Sequence, residues 1–394
     1  MKKILVITPR FPYPVIGGDR LRIYEICKEL SRKYSLTLVS LCESNEEMTY
    51  PIPDDGVYTS VYRCHHPRII SYFSCLLALP TNIPLQVAYY YSPKFKKIIN
   101  KLVPEHDLLL PHLIRVAGYV KKNSTPKILE MTDAISMNYE RVCKLKNSTG
   151  IKALIYKIER NRLNQYEKSI AKYFDQTIFV SQHDKNYLFR NLPDLYHKSL
   201  VCTNGVDVAN FKNTLFKRSY KLIFIGNMFS VQNFDAAFWF CESVLPILRQ
   251  YGPFTFHVIG KISLENSKKL SAYEGVFVTG AVDNVMDYAN NSLAGICSVR
   301  LAAGVQNKIL EYMAMGIPAI TTSIGLEGLF AVDGESIVVA NTPHEFVSTI
   351  LKLFNDPSFG KTISKNGLGY VQQNHSWSEK LQPLIQVINN LIEE

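Results

Sequence analysis

At 394 residues the chain exceeds what one hydrophobic core supports, so two domains of about 200 residues each are expected. With 47% hydrophobic and 20% charged residues, the composition excludes collagen, coiled coil and intrinsic disorder. The net charge of +10 is uneven: residues 1–200 carry 30 Lys+Arg against 18 Asp+Glu, residues 201–394 carry 14 against 16. The basic half is either a solvated face or a domain that meets anionic partners.

The N-terminus, Met1-Lys-Lys-Ile-Leu-Val-Ile-Thr-Pro-Arg10, holds four apolar residues before Thr8. That is short of the roughly 7 to 15 of a signal-peptide core and fits a first strand, Lys3–Thr8. A Pro/Gly-rich loop, Pro9–Gly18, follows, and then Leu21, Tyr24, Cys27 and Leu30 recur at helical spacing. Leu36–Leu41 is the next strand, so strand, helix and strand predict a right-handed crossover in a parallel sheet. Ile69–Leu79 is the longest apolar candidate, short of the ~20 residues of a membrane span; it is a core helix or a surface-lying one. The aromatic cluster Tyr89-Tyr-Tyr91 beside Lys94, Lys96 and Lys97 adds a reading in which this half lies on an anionic bilayer.

Asp107–Leu110, Lys127–Glu130 and Gln176–Val180 read as short buried strands, with a long helix over Ile151–Tyr173. The pattern resets at Val201–Phe211, where Asn204-Gly205 signals a turn. Lys221–Gly226, Phe254–Gly260, Val276–Val278, Ala294–Val299, Pro318–Thr322 and Ser336–Val339 then continue as strands, and His344–Phe354 and Ser376–Ile392 as helices. The expected architecture is α/β, two Rossmann-like doubly wound parallel-sheet domains facing a central cleft. The expected boundaries are 1–205, 206–375 and a C-terminal helix, 376–394, packing back toward the first domain.

Six of the eight cysteines (Cys27, Cys75, Cys143, Cys202, Cys241, Cys297) fall in apolar surroundings and read as core residues. With no CxxC pair and no secretion signal, a reducing cytoplasm is expected. Cys64-His65-His66 suggests metal, but no second ligand cluster has suitable spacing, so a structural loop is expected there. No acidic DxD-like metal site stands out.

The densest chemistry lies in Arg300-Leu-Ala-Ala-Gly-Val-Gln-Asn-Lys-Ile-Leu-Glu-Tyr-Met-Ala-Met-Gly-Ile-Pro318. A helix starting near Val305 after a small-residue loop offers unpaired backbone N–H groups and its dipole to a phosphate. Gly304, Lys308 and Glu311 share one face, Ile309, Leu310 and Met313 can face the core, and Gly316 ends the helix. A lysine near a diphosphate, with a carboxylate one turn on for ribose hydroxyls, suits a sugar nucleotide. An exposed Lys/Glu pair without function is the alternative.

The order Arg-x-x-x-Gly-x-Gln-Asn-Lys-x-Leu-Glu-x-Met-Ala-x-Gly-x-Pro resembles retaining glycosyltransferases of family 4, which have the GT-B fold, and the similarity covers nearly the whole chain. Pro9–Gly18 resembles the family's Gly-Gly loop, Phe179-Val-Ser181 its strand-end serine, and Asn204-Gly-Val-Asp207 its interdomain linker. Gly226-Asn227-Met228 with Asn233-Phe-Asp235 is similar to the sugar transferases of bacterial exopolysaccharide clusters. The resemblance implies a metal-independent, membrane-associated cytoplasmic enzyme without cofactor. It would move a sugar from a nucleotide-sugar, with UDP or GDP in the cleft, to a surface glycan: O-antigen, capsule or exopolysaccharide, on a lipid diphosphate. Nucleic acid is not an expected partner.

The implied donor site comprises Gly17, Gly18, Gly226, Asn227, Gly304, Val305, Gln306, Asn307 and Glu311, with Lys308 and Arg300 on the diphosphate. Two departures stand out: Ala303 occupies the position of the family's first glutamate, and Asn227–Asn233 lacks the usual Arg and Lys. Gly17-Gly18 permits close backbone approach but is not Gly-x-Gly-x-x-Gly, so a dinucleotide site is poorly supported. Asp133 matches an acidic position of the subgroup and either contacts acceptor or caps the helix from Ala134. His112 either orients or catalyses from a strand end or is structural. A sugar-nucleotide epimerase of the same fold, or an inactive partner subunit prompted by Ala303, are the alternative functions.

Overall fold

The computed structural model of the chain describes residues 1–15, 17–145, 151–207, 216–282, 284–301 and 305–393. It divides into two units, Met1–Thr203 with Leu381–Glu394, and Asn204–Lys380. Ala303 and Gly304 lie outside the described residues.

In the first unit the β-branched, apolar run Lys3–Thr8 forms β1, buried on both faces as a central parallel strand must be. It pairs in parallel with β2 (Ser35–Cys42) on one side and β4 (Leu108–Pro111) on the other; β3 (Ser60–His65) extends the edge beyond β2. β5 (Ile128–Thr132), β6 (Gln176–Phe179) and β7 (Ser199–Val201) form a parallel set, joined to β4 by bridges at Leu109–Lys127 and His112–Glu130. Read across, the order is β3-β2-β1-β4-β5-β6-β7, which reverses direction between β1 and β4. Ligands of doubly wound sheets bind at the carboxyl ends of the strands flanking that reversal. Here those ends are Thr8 and Pro111.

The second unit repeats the plan. β8 (Lys221–Ile225), β9 (Thr255–Ile259), β10 (Val276–Gly280), β11 (Ala294–Cys297), β12 (Ala319–Thr321) and β13 (Val338–Val339) run in parallel as β10-β9-β8-β11-β12-β13. The reversal falls between β8 and β11. The helix Asn307–Ala314 follows β11 and buries Ile309, Leu310 and Met313. Gly316 stops it at φ 70°, with Gly316 N–H donating to Met313 and Ile317 N–H to Tyr312.

Several elements differ from expectation. Cys64 and His65, expected in a loop, end β3, an edge strand that is exposed or half-buried except at Cys64 and carries no apolar run; pairing with β2 forms it. His66 is buried with its ring against the Tyr89 carbonyl, so the pair is structural. Pro357–Asn374 is an unanticipated helix capped by Asp356. Cys75 and Cys143 are half-buried rather than core, while Cys42 and Cys64 are buried. Helix Trp377–Glu393 groups with the first unit from Leu381 on, where the Tyr34 hydroxyl donates to Asn389. No helix among the described residues is long and apolar enough to cross a membrane.

Candidate functional site

In the second unit, the strand-end loop after β8 and the helix after β11 meet at the switch point. Direct pairing of β8 with β11 covers only Leu222–Ala294 and Ile223–Gly295. Beyond it the fully buried Tyr312 hydroxyl accepts from Ile225 N–H at 2.9 Å and donates to the Ile296 carbonyl at 3.1 Å. The phenol thus satisfies both strands where their ladder stops. The helix is thereby fixed to the sheet with its N-terminus at the carboxyl edge.

Around that N-terminus the motif residues bind one another. Lys308 Nζ donates to Asn233 Oδ1 at 2.9 Å and to Gln306 Oε1 at 3.2 Å. Asn233 in turn donates to the Asn227 carbonyl at 3.0 Å. Gly226 makes room for this amide: a Cβ there would lie 2.9 Å from Asn233 Nδ2. Arg300 makes a two-pronged contact with Asp235, Nη2 to Oδ1 at 2.8 Å and Nε to Oδ2 at 3.2 Å. Asn307 accepts from Asn204 at 2.6 Å, and Val305 is buried just before the first turn. The Gly226…Asn233…Asp235 segment and the Arg300…Lys308 segment, 65 and 75 residues apart in their paired positions, are therefore one cluster.

The charges in this cluster differ in kind. Arg300 is neutralised by Asp235, whereas Lys308 meets only neutral amides and no carboxylate within ion-pair distance among the described residues. Glu311, one turn on, is half-buried rather than surface-facing, as its position on the face had suggested. Burial raises its carboxyl above the usual range against the opposing charge of Lys308, and no described donor bonds to it. Among the described residues, the arrangement presents a partly desolvated acceptor, a cation without a carboxylate partner and the N–H groups of a helix start on one side of the sheet. That is a donor set for an anion and an acceptor for hydroxyls.

In the first unit, Gly17 takes φ 101°, a left-handed conformation that favours glycine, and its carbonyl accepts from Leu21; Gly18 begins the helix Gly18–Leu30. His112, at the end of β4, donates from Nδ1 to Glu130 Oε2 at 2.6 Å. Glu130 also accepts from Arg22 Nε at 2.7 Å and from the Thr132 hydroxyl at 2.7 Å. Although burial opposes its charge, Arg22 and His112 hold Glu130 down to about 2. The buried His112 Nε2 has no hydrogen-bond partner among the described residues, so the imidazole is oriented by Glu130 with its other nitrogen unengaged. Asp19 is drawn below the carboxylate range despite burial, chiefly by Arg10, with Arg115 and His112 contributing. Arg10, Asp19, Arg115 and His112 thus lie close to one another, around the carboxyl ends of β1 and β4.

Asp133 belongs to the same group. Ala134 N–H is taken by Asp184 Oδ1 at 2.9 Å and Ser136 N–H by Glu167, so the helix that follows is not capped by Asp133. Burial, with the nearby charge of Asp184, pushes Asp133 up to about 7, Arg115 opposing. It is a carboxyl near its titration point at neutral pH. Sequence reading did not find Arg10, Asp19, Arg115 or Tyr312. Only Asp19 had a signal, its place just after Gly17-Gly18; the others are ordinary residues of a loop and two helices until the fold brings them to the switch points.

Residues 219–356 match the family described as Glycosyl transferases group 1. The chain is 26% identical over 95% of its length to an uncharacterized 44.6 kDa protein in the cps region of Klebsiella pneumoniae, 97% of which is covered. It is 22% identical to an uncharacterized glycosyltransferase of Methanocaldococcus jannaschii, over 100% of both chains. Among solved structures, sucrose-phosphate synthase from Thermosynechococcus elongatus superimposes with a TM-score of 0.76 at 13% identity, covering 100% of each chain. Anabaena HepE in complex with UDP and glucose gives 0.71 at 12% identity, covering 99% of this chain and 100% of that one. The second unit thus contains the segment that is similar to glycosyl transferases group 1, in a chain that has the GT-B fold.

Proposed function

We propose that the protein is a retaining glycosyltransferase that moves a sugar from a nucleotide-sugar to a growing bacterial surface glycan. The observation that carries this reading is the pairing of Lys308 with Glu311 at the β8–β11 switch point. Among the described residues, one is a cation without a carboxylate partner, the other a half-buried carboxylate without a donor. Lys308 and the N–H groups at Val305, Gln306 and Asn307 would hold the diphosphate, and Glu311 would accept from the ribose hydroxyls. Arg300, already neutralised, would act by fixing the loop through Asp235.

In the step proposed, the bond between the sugar's anomeric carbon and the diphosphate oxygen breaks and the acceptor oxygen bonds to that carbon. The acceptor's proton passes to the departing phosphate oxygen, so no protein nucleophile is required. Charge growing on the diphosphate is met by fixed dipoles and a lysine that need no reorganisation. The first unit would present the acceptor, with His112 and Asp133 beside it. Support for a capsule-type glycan is the cps-region relative, and support for a uridine nucleotide donor is the UDP held by the structural neighbour. A lipid-diphosphate acceptor and a place at the inner face of the membrane complete the proposal.

A sugar-nucleotide epimerase is the second reading, favoured by the unengaged His112 Nε2 and the near-neutral Asp133 as an acid–base pair. Measuring nucleotide release from a panel of sugar nucleotides, with and without a glycan acceptor, separates the two. Release that requires acceptor supports transfer. Turnover of the sugar without acceptor supports epimerisation, and neither would leave a binding subunit.

A further inference from the structure

The helix Arg68–Ala78 is inverted. It buries Ser71, whose hydroxyl has no hydrogen-bond partner among the described residues, and Ala78, while Ile69, Phe73 and Leu77 are 82%, 61% and 62% exposed. Beside it lies a cavity of about 440 Å³, within the ~300–1,000 Å³ range of small-molecule sites. Leu77, Ala78, Ile83, Val87, Tyr119 and Tyr166 line it, so its walls are largely apolar. Three cations, Lys96, Arg115 and Lys121, also line it, and none of its lining residues is acidic. Leu77, Ile83 and Tyr91 belong both to the lining and to the exposed apolar surface, so the cavity opens onto that surface.

The cations differ in availability. Arg115 is held by Gln86 through Nε and Nη2 at 3.1 and 3.0 Å, and Lys121 lies over the Tyr173 ring. Lys96 is exposed and has no carboxylate partner among the described residues. Arg115 connects the cavity to the site, since its charge acts on both Asp19 and Asp133.

We propose that this cavity takes the hydrocarbon chain of a lipid phosphate, whose anionic head is held by Lys96 and Lys121 and directed by Arg115 toward Asp133. An apolar chamber whose charged lining residues are all cations, opening on an exposed apolar helix, matches an amphiphile with a negative head. Neutral lipids would leave the cations without a counter-charge, and a free phosphate would leave the chamber unfilled. The inference rests on the transferase reading only in naming this lipid as the acceptor.

The test is titration calorimetry on the full chain with farnesyl diphosphate, farnesol and inorganic diphosphate, each below its aggregation limit. Farnesyl diphosphate is expected to bind at least tenfold more tightly than either of the others. Ser74→Trp, which fills the lining, should weaken it at least tenfold, and Leu77→Asp at the exposed mouth gives the same readout if Ser74→Trp does not fold. Lys96→Glu with Lys121→Glu should weaken farnesyl diphosphate at least fivefold and leave farnesol unchanged. No binding of farnesyl diphosphate, or equal binding to wild type and both cavity variants, overturns the proposal; equal binding to the lysine variants overturns the anionic head. Titrating UDP in parallel separates the readings. UDP binding with no lipid binding refutes the cavity alone, and lipid binding with no nucleotide binding refutes the transferase.

Discussion

Glu311 carries a cost in the free protein, because its charged form is partly desolvated and no donor among the described residues offsets that. Glu311→Gln should therefore leave the unliganded thermal midpoint equal or raised at neutral pH. Nucleotide binding should weaken by about 1.5–3 kcal/mol, the worth of a charged hydrogen-bond partner. Calorimetry with UDP and GDP, alongside a melting curve, reads both; unchanged affinity would remove Glu311 from the site. Asp133 makes a pH-dependent prediction. Its pKa is about 7 in the folded chain, against roughly 3.9 unfolded, so the folded state holds the extra proton between these values. That stabilisation is complete below about pH 4 and is lost as pH rises through 7. Asp133→Asn cannot ionise, so relative to wild type it should gain stability from pH 4 to pH 8. Glu167, pushed up to about 8 chiefly by burial and partly by the charge of Asp133, titrates with the same sign in both proteins, so the difference between the two profiles reports Asp133 together with its effect on Glu167. Parallel profiles would show that Asp133 does not titrate in this range.

At the scale of elements, one hydroxyl ties the helix Asn307–Ala314 to β8 and β11 where their direct pairing stops. Tyr312→Phe leaves the Ile225 N–H and the Ile296 carbonyl without that partner in a dry interior. A loss of about 1–3 kcal/mol is expected, read as a lower urea midpoint at unchanged slope. Nucleotide affinity should fall with it, because the helix N-terminus is aimed by the same contact. The two cations after β11 should also separate. Lys308→Ala should lower turnover more than it raises the Michaelis constant for donor, since charge on the leaving diphosphate grows in the transition state. Arg300→Ala should behave like Asp235→Ala, and the double variant like either single one, because the two residues act as one unit. Additive losses in that cycle would show instead that Arg300 meets the ligand itself.

On the scale of the whole molecule, the charge and the exposed apolar surface coincide. The excess of basic residues lies within positions 1–200, as do the helix Arg68–Ala78 and the segment Lys94–Lys97. Apolar side chains with lysines nearby suit the headgroup boundary of an anionic bilayer, where each basic residue adds about 1 kcal/mol. The protein should co-sediment with anionic vesicles at low salt, be released as salt rises, and bind less well with Lys94, Lys96 and Lys97 replaced by glutamate. Equal partitioning onto neutral and anionic vesicles, or none onto either, would refute surface binding.

Local pattern by itself determined the alternation of strand and helix, because β-branched runs such as Lys3–Thr8 and Lys221–Ile225 are buried on both faces wherever a parallel sheet places them. It also determined the helix Asn307–Ala314 and its stop at Gly316, since apolar spacing and a C-terminal glycine act within a few positions. The edge strand β3 was not legible, because its residues carry no apolar run and only pairing with β2 makes it a strand. Nor could sequence tell Lys308 from Arg300, or Asp133 from a helix cap. Those distinctions depend on Asp235, Asn233 and Asp184, partners 65, 75 and 50 residues away that only the tertiary fold brings within hydrogen-bond range. Burial made the last distinction. Glu311 and Asp133 hold raised carboxyls because the fold withdraws water from them, and Ile69, Phe73 and Leu77 stay exposed because none of the described residues covers them.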